Sequence, residues 1–139
     1  MYPRILLAAD GSENAVRAAR EAAKIASLTP ETVVEILYVA DMDKAKKEVL
    51  HAQSQDELDY KRRQKLVPIV NEFASKNVTN KIKIITGDPG PAIVEYANKE
   101  KVDLVILGSR GLNALQEFVL GSVSHKVVKR AQCPVMIVK

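Results

Sequence analysis

V-D-L-V-I-L-G-S-R-G occupies residues 102–111, and after nine further residues Gly121-Ser122 opens the segment that leads to C-P-V-M-I-V-K at residues 133–139. The run Val102 to Leu107, apolar but for Asp103, reads as a buried strand. It stops at Gly108, and a small-residue turn to Ser122 leads into a helix expected to run to about Ala131. Lys129 and Arg130 then suit the negative end of that helix. Val135 to Val138 is a short final strand. A buried strand that ends in such a turn and then enters a helix is how α/β proteins offer backbone N–H groups to a phosphate. The turn from Gly108 to Ser122 is therefore the candidate site.

The rest of the chain repeats the same alternation. Arg4 to Ala9 (R-I-L-L-A-A) reads as a central strand, and Asp10-Gly11-Ser12 breaks it. Ser12 is placed to cap a helix to about Ser27, whose alanines allow close approach to a sheet. Thr32 to Val39 is β-branched and apolar enough for a second buried strand. From Ala40 to Gln55 the chain is charged and loosely periodic, which predicts a mobile, partly helical loop. Leu58, Leu66, Ile69, Val70 and Phe73 then recur at near-helical spacing over Gln55 to Lys76. Pro68 sits inside that pattern, so the helix either kinks there, the favoured reading, or starts near Val67 with the proline in a tolerated first turn. Lys81 to Thr86 alternates charged and apolar residues, as an edge strand does. Gly87-Asp88-Pro89-Gly90-Pro91 supplies a turn, a capping aspartate and a first-turn proline for a helix to about Glu100.

Five strands separated by helix-length crossovers predict a single-domain α/β sandwich, with a parallel sheet and helices on both faces. Ligands in such sheets bind beyond the carboxyl ends of the strands, where the winding direction reverses. Asp10 and Gly108 both lie at carboxyl ends.

Composition removes several alternatives. The 139 residues, 47% hydrophobic and 27% charged, suffice for one core without disulfides or a structural metal. The single cysteine, Cys133, has no intramolecular partner, and with no secretory leader or membrane-spanning run legible, a cytoplasmic protein is expected. The formal net charge of +4 raises nucleic acid as a partner, but Asp41 to Lys65 holds seven Lys/Arg against six Asp/Glu, and four Tyr and two Phe are few for base stacking. Neither nucleic acid nor a membrane is expected as a partner. His51 and His125 are far apart and no Cys or His lies at ligand spacing, so no structural metal site is expected.

The turn lacks the Gly-Lys-Ser/Thr of a P-loop, and the first strand is followed by Asp-Gly-Ser and not by G-x-G-x-x-G. What is present is G-S-R-G, nine residues and G-S, preceded by V-D-L-V-I-L and followed by C-P-V-M-I-V. This resembles the G-x2-G-x9-G-S/T signature of the ATP-binding universal stress proteins. The opening I-L-L-A-A-D-G-S-E and the G-D-P…I-V-E-Y-A segment resemble the same family, so the likeness covers the whole chain.

The resemblance implies a sheet in the order 3-2-1-4-5, a Rossmann-like fold of the adenine nucleotide alpha hydrolase type, a homodimer and ATP binding in the stress response. By matching position, Ala9 and Asp10 flank the nucleoside and Val39 meets the adenine through its backbone. Gly108, Gly111, Gly121, Ser122 and Val123 surround the ribose and phosphates, with Ser109 and Arg110 in the same turn. Asp10 serves either the base or a metal. The same residues have plainer roles open to them: the glycines as a tight turn, Ser122 as a helix cap, Asp10 as a turn residue and Val39 as strand core.

Micromolar affinity requires about 8 kcal/mol, whereas a helix terminus contributes roughly 0.3 to 1. Several charge-assisted hydrogen bonds of about 1.5 to 3 kcal/mol each make up the difference. Arg110 is the only cation between Gly108 and Ser122, and Glu117 opposes it, so ATP is expected to arrive with Mg²⁺ or Mn²⁺. No general base beside Ser122 and no Walker-type lysine is legible, so a binding and regulatory module acting on a protein partner is expected. A slow ATPase or nucleotide-dependent transferase and a nucleotide-free dimeric scaffold are the alternatives. The apolar segment Val135 to Val138, at a sheet edge, is the expected homodimer contact.

Overall fold

The computed structural model describes residues 2–41, 54–109 and 120–139, together with residues 46 and 50. Most of the segment between Ala40 and Gln55, as well as Arg110 and Gly111, lies outside the described residues. Five strands, β1 (Arg4–Ala9), β2 (Val33–Ala40), β3 (Thr79–Thr86), β4 (Leu104–Gly108) and β5 (Val135–Val138), form one sheet in the order β3-β2-β1-β4-β5. Every pairing is parallel. Between them lie α1 (Glu13–Ala26), α2 (Gln55–Lys65), α3 (Val67–Ala74), α4 (Pro89–Glu100) and α5 (Ser122–Arg130).

The apolar runs go where their continuity requires. Ile5, Leu7 and Ala9 of β1 face one layer with Ile36 and Ile106, and Leu6 and Ala8 face the other with Leu37, Val105 and Leu107. The first layer is closed by α1 and α3. Ala15, Ala18, Ala19, Ala22, Ala23 and Ala26 bring the α1 backbone down onto the sheet, and Leu66, Ile69 and Phe73 fill the space beside it. Ile93, Ala97 and Val127 of α4 and α5 close the second layer. β3 lies at an edge, and its residues alternate between exposed and half-buried over most of its length, as its Lys-Ile alternation requires.

Pro68 divides the segment into two helices. It occupies the first turn of α3, and Leu66 is at once the C-cap of α2 and the N-cap of α3. Proline lacks the N–H that a continuous helix would donate back along the chain, so the ladder is interrupted. Leu66 N–H instead donates to the Arg63 carbonyl, and Val70 N–H picks up the Leu66 carbonyl. The favoured kink is thus a break, yet Leu58, Leu66, Ile69 and Phe73 are all buried, as their spacing requires. Ser12 caps α1 by accepting from Ala15 N–H at 3.2 Å. Asp88 holds the N-cap position of α4, but its side chain makes no capping bond.

Candidate functional site

The winding reverses at β1. From β1 the chain moves outward through α1 to β2 and then β3, and it returns through α4 to β4 on the other side of β1. A crevice therefore opens beyond the carboxyl ends of β1 and β4. Ala9, Asp10, Val39, Gly108 and Ser109 stand at its rim, and Gly121, Ser122 and Val123 enter from the start of α5. The fold brings these residues to one end of the sheet from three separate strands and a helix.

Local chemistry shapes each contributor. After Ala9 the chain leaves the sheet sharply: Asp10 Oδ1 accepts from Ser12 N–H at 2.9 Å, and Gly11 adopts φ +83°, a left-handed conformation that glycine takes without penalty. Asp10 is therefore a turn residue in this structure, with one carboxylate oxygen engaged by the turn. Val39 is half-buried against the α4 layer. Val33 N–H donates toward β1, to Pro3 O at 2.9 Å, and Ala40 O accepts from Gly87 N–H on the β3 side. Strand polar groups alternate sides, so those of Val39 face β1. β1 ends at Ala9, opposite Tyr38, which leaves the Val39 carbonyl directed past the end of its neighbour into the crevice.

The other wall is held from both faces of the sheet. A Cβ added to Gly108 would lie 2.8 Å from the Asn14 Cβ of α1, so the glycine is required by helix packing. From the opposite face, the buried Ser124 of α5 donates its hydroxyl to the Gly108 carbonyl at 2.7 Å. Ser109 N–H donates to Val138 O at 2.9 Å, and Gly121 N–H donates to Ser109 O at 2.9 Å. The Gly121 amide is thus committed within the protein. Gly121, and not Ser122, is the N-cap, and it brings no side-chain bond to the helix end. The first i to i−4 bond of α5 runs from His125 N–H to Gly121 O. The amides of Ser122, Val123 and Ser124 precede it and have no intrahelical acceptor.

Three further contributors escaped the sequence reading. Asn14 packs on Gly108; Ser124 binds the Gly108 carbonyl; and Lys65, at the end of α2, reaches the β1 to α1 turn, its Cβ 3.7 Å from where a Gly11 Cβ would lie. Arg17 of α1 also stands near this end, its Nη2 donating to Asn14 Oδ1 and its Nε to Lys139 O at 3.2 Å. Lys65 and Arg17 therefore bring cations toward this end of the sheet from α2 and α1. Ser12 and Asn14 are buried together at the same turn. Apart from the Asn14–Arg17 pair, three residues apart on α1, these contacts join residues distant in sequence, so no local spacing signals them.

Away from the crevice, Glu35 forms a buried polar centre near the opposite end of the sheet. Its carboxylate accepts from Tyr96 Oη and lies 3.8 Å from Arg4 Nη2 and 3.7 Å from Lys81 Nζ. This cluster joins β1, β2, β3 and α4 and has the partners a buried carboxylate needs. Burial pushes the Cys133 thiol up from its ordinary value; the Val105 backbone bond opposes the shift and Asp103 adds to it. Among the described residues no group of His, Cys, Asp and Glu could hold a metal ion, and no helix is long and apolar enough to cross a membrane.

Comparison with known proteins gives this geometry its context. The chain is 32% identical over 150 aligned residues to Universal stress protein MJ0531 of Methanocaldococcus jannaschii, covering all of this chain and 83% of that one. The solved structure of MJ0577 from the same organism superposes with a TM-score of 0.84 at 33% identity, covering 100% of this chain and 96% of its own. The fold also matches a universal stress protein family member of Arabidopsis thaliana solved with AMP bound, at a TM-score of 0.69 and 24% identity over 98% of this chain and 90% of that one. The model of the Universal stress protein family matches residues 1–139, and the chain belongs to that family.

Proposed function

We propose that the protein binds ATP in the crevice between β1 and β4 and acts as a nucleotide-responsive regulatory module in the stress response. The observation that carries this reading is the open start of α5. A glycine cap leaves the Ser122, Val123 and Ser124 amides without intrahelical acceptors, beside the carboxyl end of β4. The exposed Ser122 side chain adds a hydroxyl to this donor set. On the far side of β1 the Val39 carbonyl offers an acceptor suited to an exocyclic amine. Donors for phosphate at one end and an acceptor for a base at the other fit a nucleotide lying across the crevice, with Ala9 and Asp10 under the nucleoside. Ser109, Arg110, Gly111 and Gly121 complete the turn in this reading. Mg²⁺ or Mn²⁺ would supply counter-charge for the phosphates.

The reading is of binding and not of turnover. Two serine hydroxyls close to the crevice already have partners: Ser12 Oγ accepts from Ala15 N–H, and Ser124 Oγ–H donates to the Gly108 carbonyl. Transmission to a protein partner is supported by the bonds from Ser109 to Val138 and from Arg17 to Lys139, which tie the crevice to β5. β5 is an edge strand whose four residues are half-buried, a surface suited to pairing with a second copy. Calorimetric titration with MgATP tests the reading, combined with a phosphate-release assay. Saturable binding with no release supports it, and absence of binding at millimolar nucleotide overturns it.

A further inference from the structure

We propose that Ser124 is a positioning residue for the phosphate-binding part of the crevice, an inference that rests on the nucleotide reading above. Ser124 is 3% exposed, and its hydroxyl donates at 2.7 Å to the carbonyl of Gly108, the last residue of β4. It belongs to the first turn of α5, whose amides have no intrahelical acceptor. The bond therefore joins the strand end to the helix start across 16 residues of sequence. Gly121 N–H to Ser109 O is a second tie between the same two elements.

Two ties fix what one cannot. The Gly121 bond alone pins a point and leaves the helix start free to pivot about it. The Ser124 bond, three positions further along, sets the direction in which the first-turn amides point. Gly108 has little room to move toward α1, because a Cβ built on it would already stand 2.8 Å from the Asn14 Cβ on the other face of the sheet. The hydroxyl thus anchors α5 to a strand end that is itself clamped. Donors aimed in advance bind an anion without the cost of orienting them at the moment of binding.

This role differs from ordinary packing in one measurable respect. Misaimed amides weaken the hold on phosphates and leave the hold on the nucleoside alone, since Ala9, Asp10 and Val39 are on other elements. The experiment titrates adenosine, AMP, ADP and ATP, with Mg²⁺, into the wild-type protein, Ser124→Ala and Ser124→Thr, each first shown to be folded by circular dichroism and a cooperative urea transition. Competent-site concentration comes from the titration stoichiometry, so a partly unfolded variant does not distort the comparison.

The expected result is that Ser124→Ala weakens ATP about tenfold, or about 1.4 kcal/mol, changes adenosine affinity less than twofold, and that Ser124→Thr, which keeps the hydroxyl, restores most of the ATP affinity. Equal losses for adenosine and ATP would make Ser124 a packing residue and overturn the proposal, as would unchanged ATP affinity in Ser124→Ala or a Thr variant that behaves like Ala. If the wild-type protein shows no gain from adenosine to ATP, the nucleotide reading fails and this inference fails with it. A wild-type gain that survives in Ser124→Ala removes the inference alone.

Discussion

Asn14 of α1 closes so tightly on Gly108 of β4 that a single added methyl would stand 2.8 Å from its Cβ and 3.2 Å from its backbone carbonyl. The first signature glycine is thus required by packing in addition to any nucleotide. Gly108→Ala should lower stability by about 1 to 3 kcal/mol, as overpacking does, because neither helix backbone nor strand end can move aside cheaply. A urea midpoint equal to that of the wild type would show that α1 can shift.

Gly121 should behave differently. Its backbone is extended, φ −62° and ψ 160°, a conformation open to any residue. Gly121→Ala is expected to cost less than about 1 kcal/mol of stability while weakening ATP at least tenfold. Gly121→Val should abolish detectable binding. Thermal denaturation and calorimetric titration of the same samples separate the two effects, and equal ATP affinity in Gly121→Val would remove this residue from the site.

Gly11 carries a third kind of constraint. A Cβ there meets only ordinary contact, the nearest atom being Lys65 Cβ at 3.7 Å, but φ is +83°. Gly11→Ala should therefore cost about 1 to 2 kcal/mol through backbone conformation alone, and Gly11→Asn less, since asparagine tolerates this region better. If the alanine variant matches the wild type in urea, the turn has another conformation of equal energy.

Cys133 gives a pH-dependent check. Its folded thiol is raised above the ordinary value by burial, so the unfolded chain ionises first as pH rises. The associated stability is fully present below the unfolded value near 9.0 and is lost as pH rises through the folded one. Alkylation at pH 8 should run slower in the native protein than in urea, and Cys133→Ala should flatten the stability profile above pH 9. Faster alkylation in the native state would contradict the burial assigned to the thiol.

Metal dependence follows from the anion load. Four negative charges on ATP meet few cations from the turn itself, so excess EDTA should lower ATP affinity at least tenfold and leave adenosine affinity unchanged. Equal ATP affinity with and without chelator would show that protein cations such as Lys65 and Arg17 suffice.

Much of the fold was legible because it is written in local pattern. Arg4 to Ala9 and Val102 to Leu107 read as buried strands from their apolar runs, the second forming β4 over Leu104–Gly108, and the Lys-Ile alternation of β3 placed it at an edge. Pro68 announced an interruption but not its form, since a kink and a fresh helix start remove the same backbone bond; Leu66 ends one helix and caps the next, with Pro68 in the first turn of the second. Asp88 was legible as a cap by residue type, whereas the missing capping bond depends on a side-chain orientation that no spacing encodes. That the candidate residues Gly108, Gly121 and Asp10 lie at one end of the sheet was legible. The mechanics of the site were not, because Asn14 to Gly108, Ser124 to Gly108 and Lys65 to Gly11 join residues that only the assembled sheet brings together.

Occupancy of the crevice between β1 and β4 by an adenine nucleotide is the proposal on which the other nucleotide predictions depend. It is tested most directly by denaturing freshly purified protein, separating the released small molecules by chromatography, and repeating the measurement after incubation with MgATP and gel filtration. ATP or ADP should be carried through in near-stoichiometric amount, and much less from Gly121→Val. No adenine nucleotide in either wild-type sample, with the protein folded and at a concentration above micromolar, would contradict it.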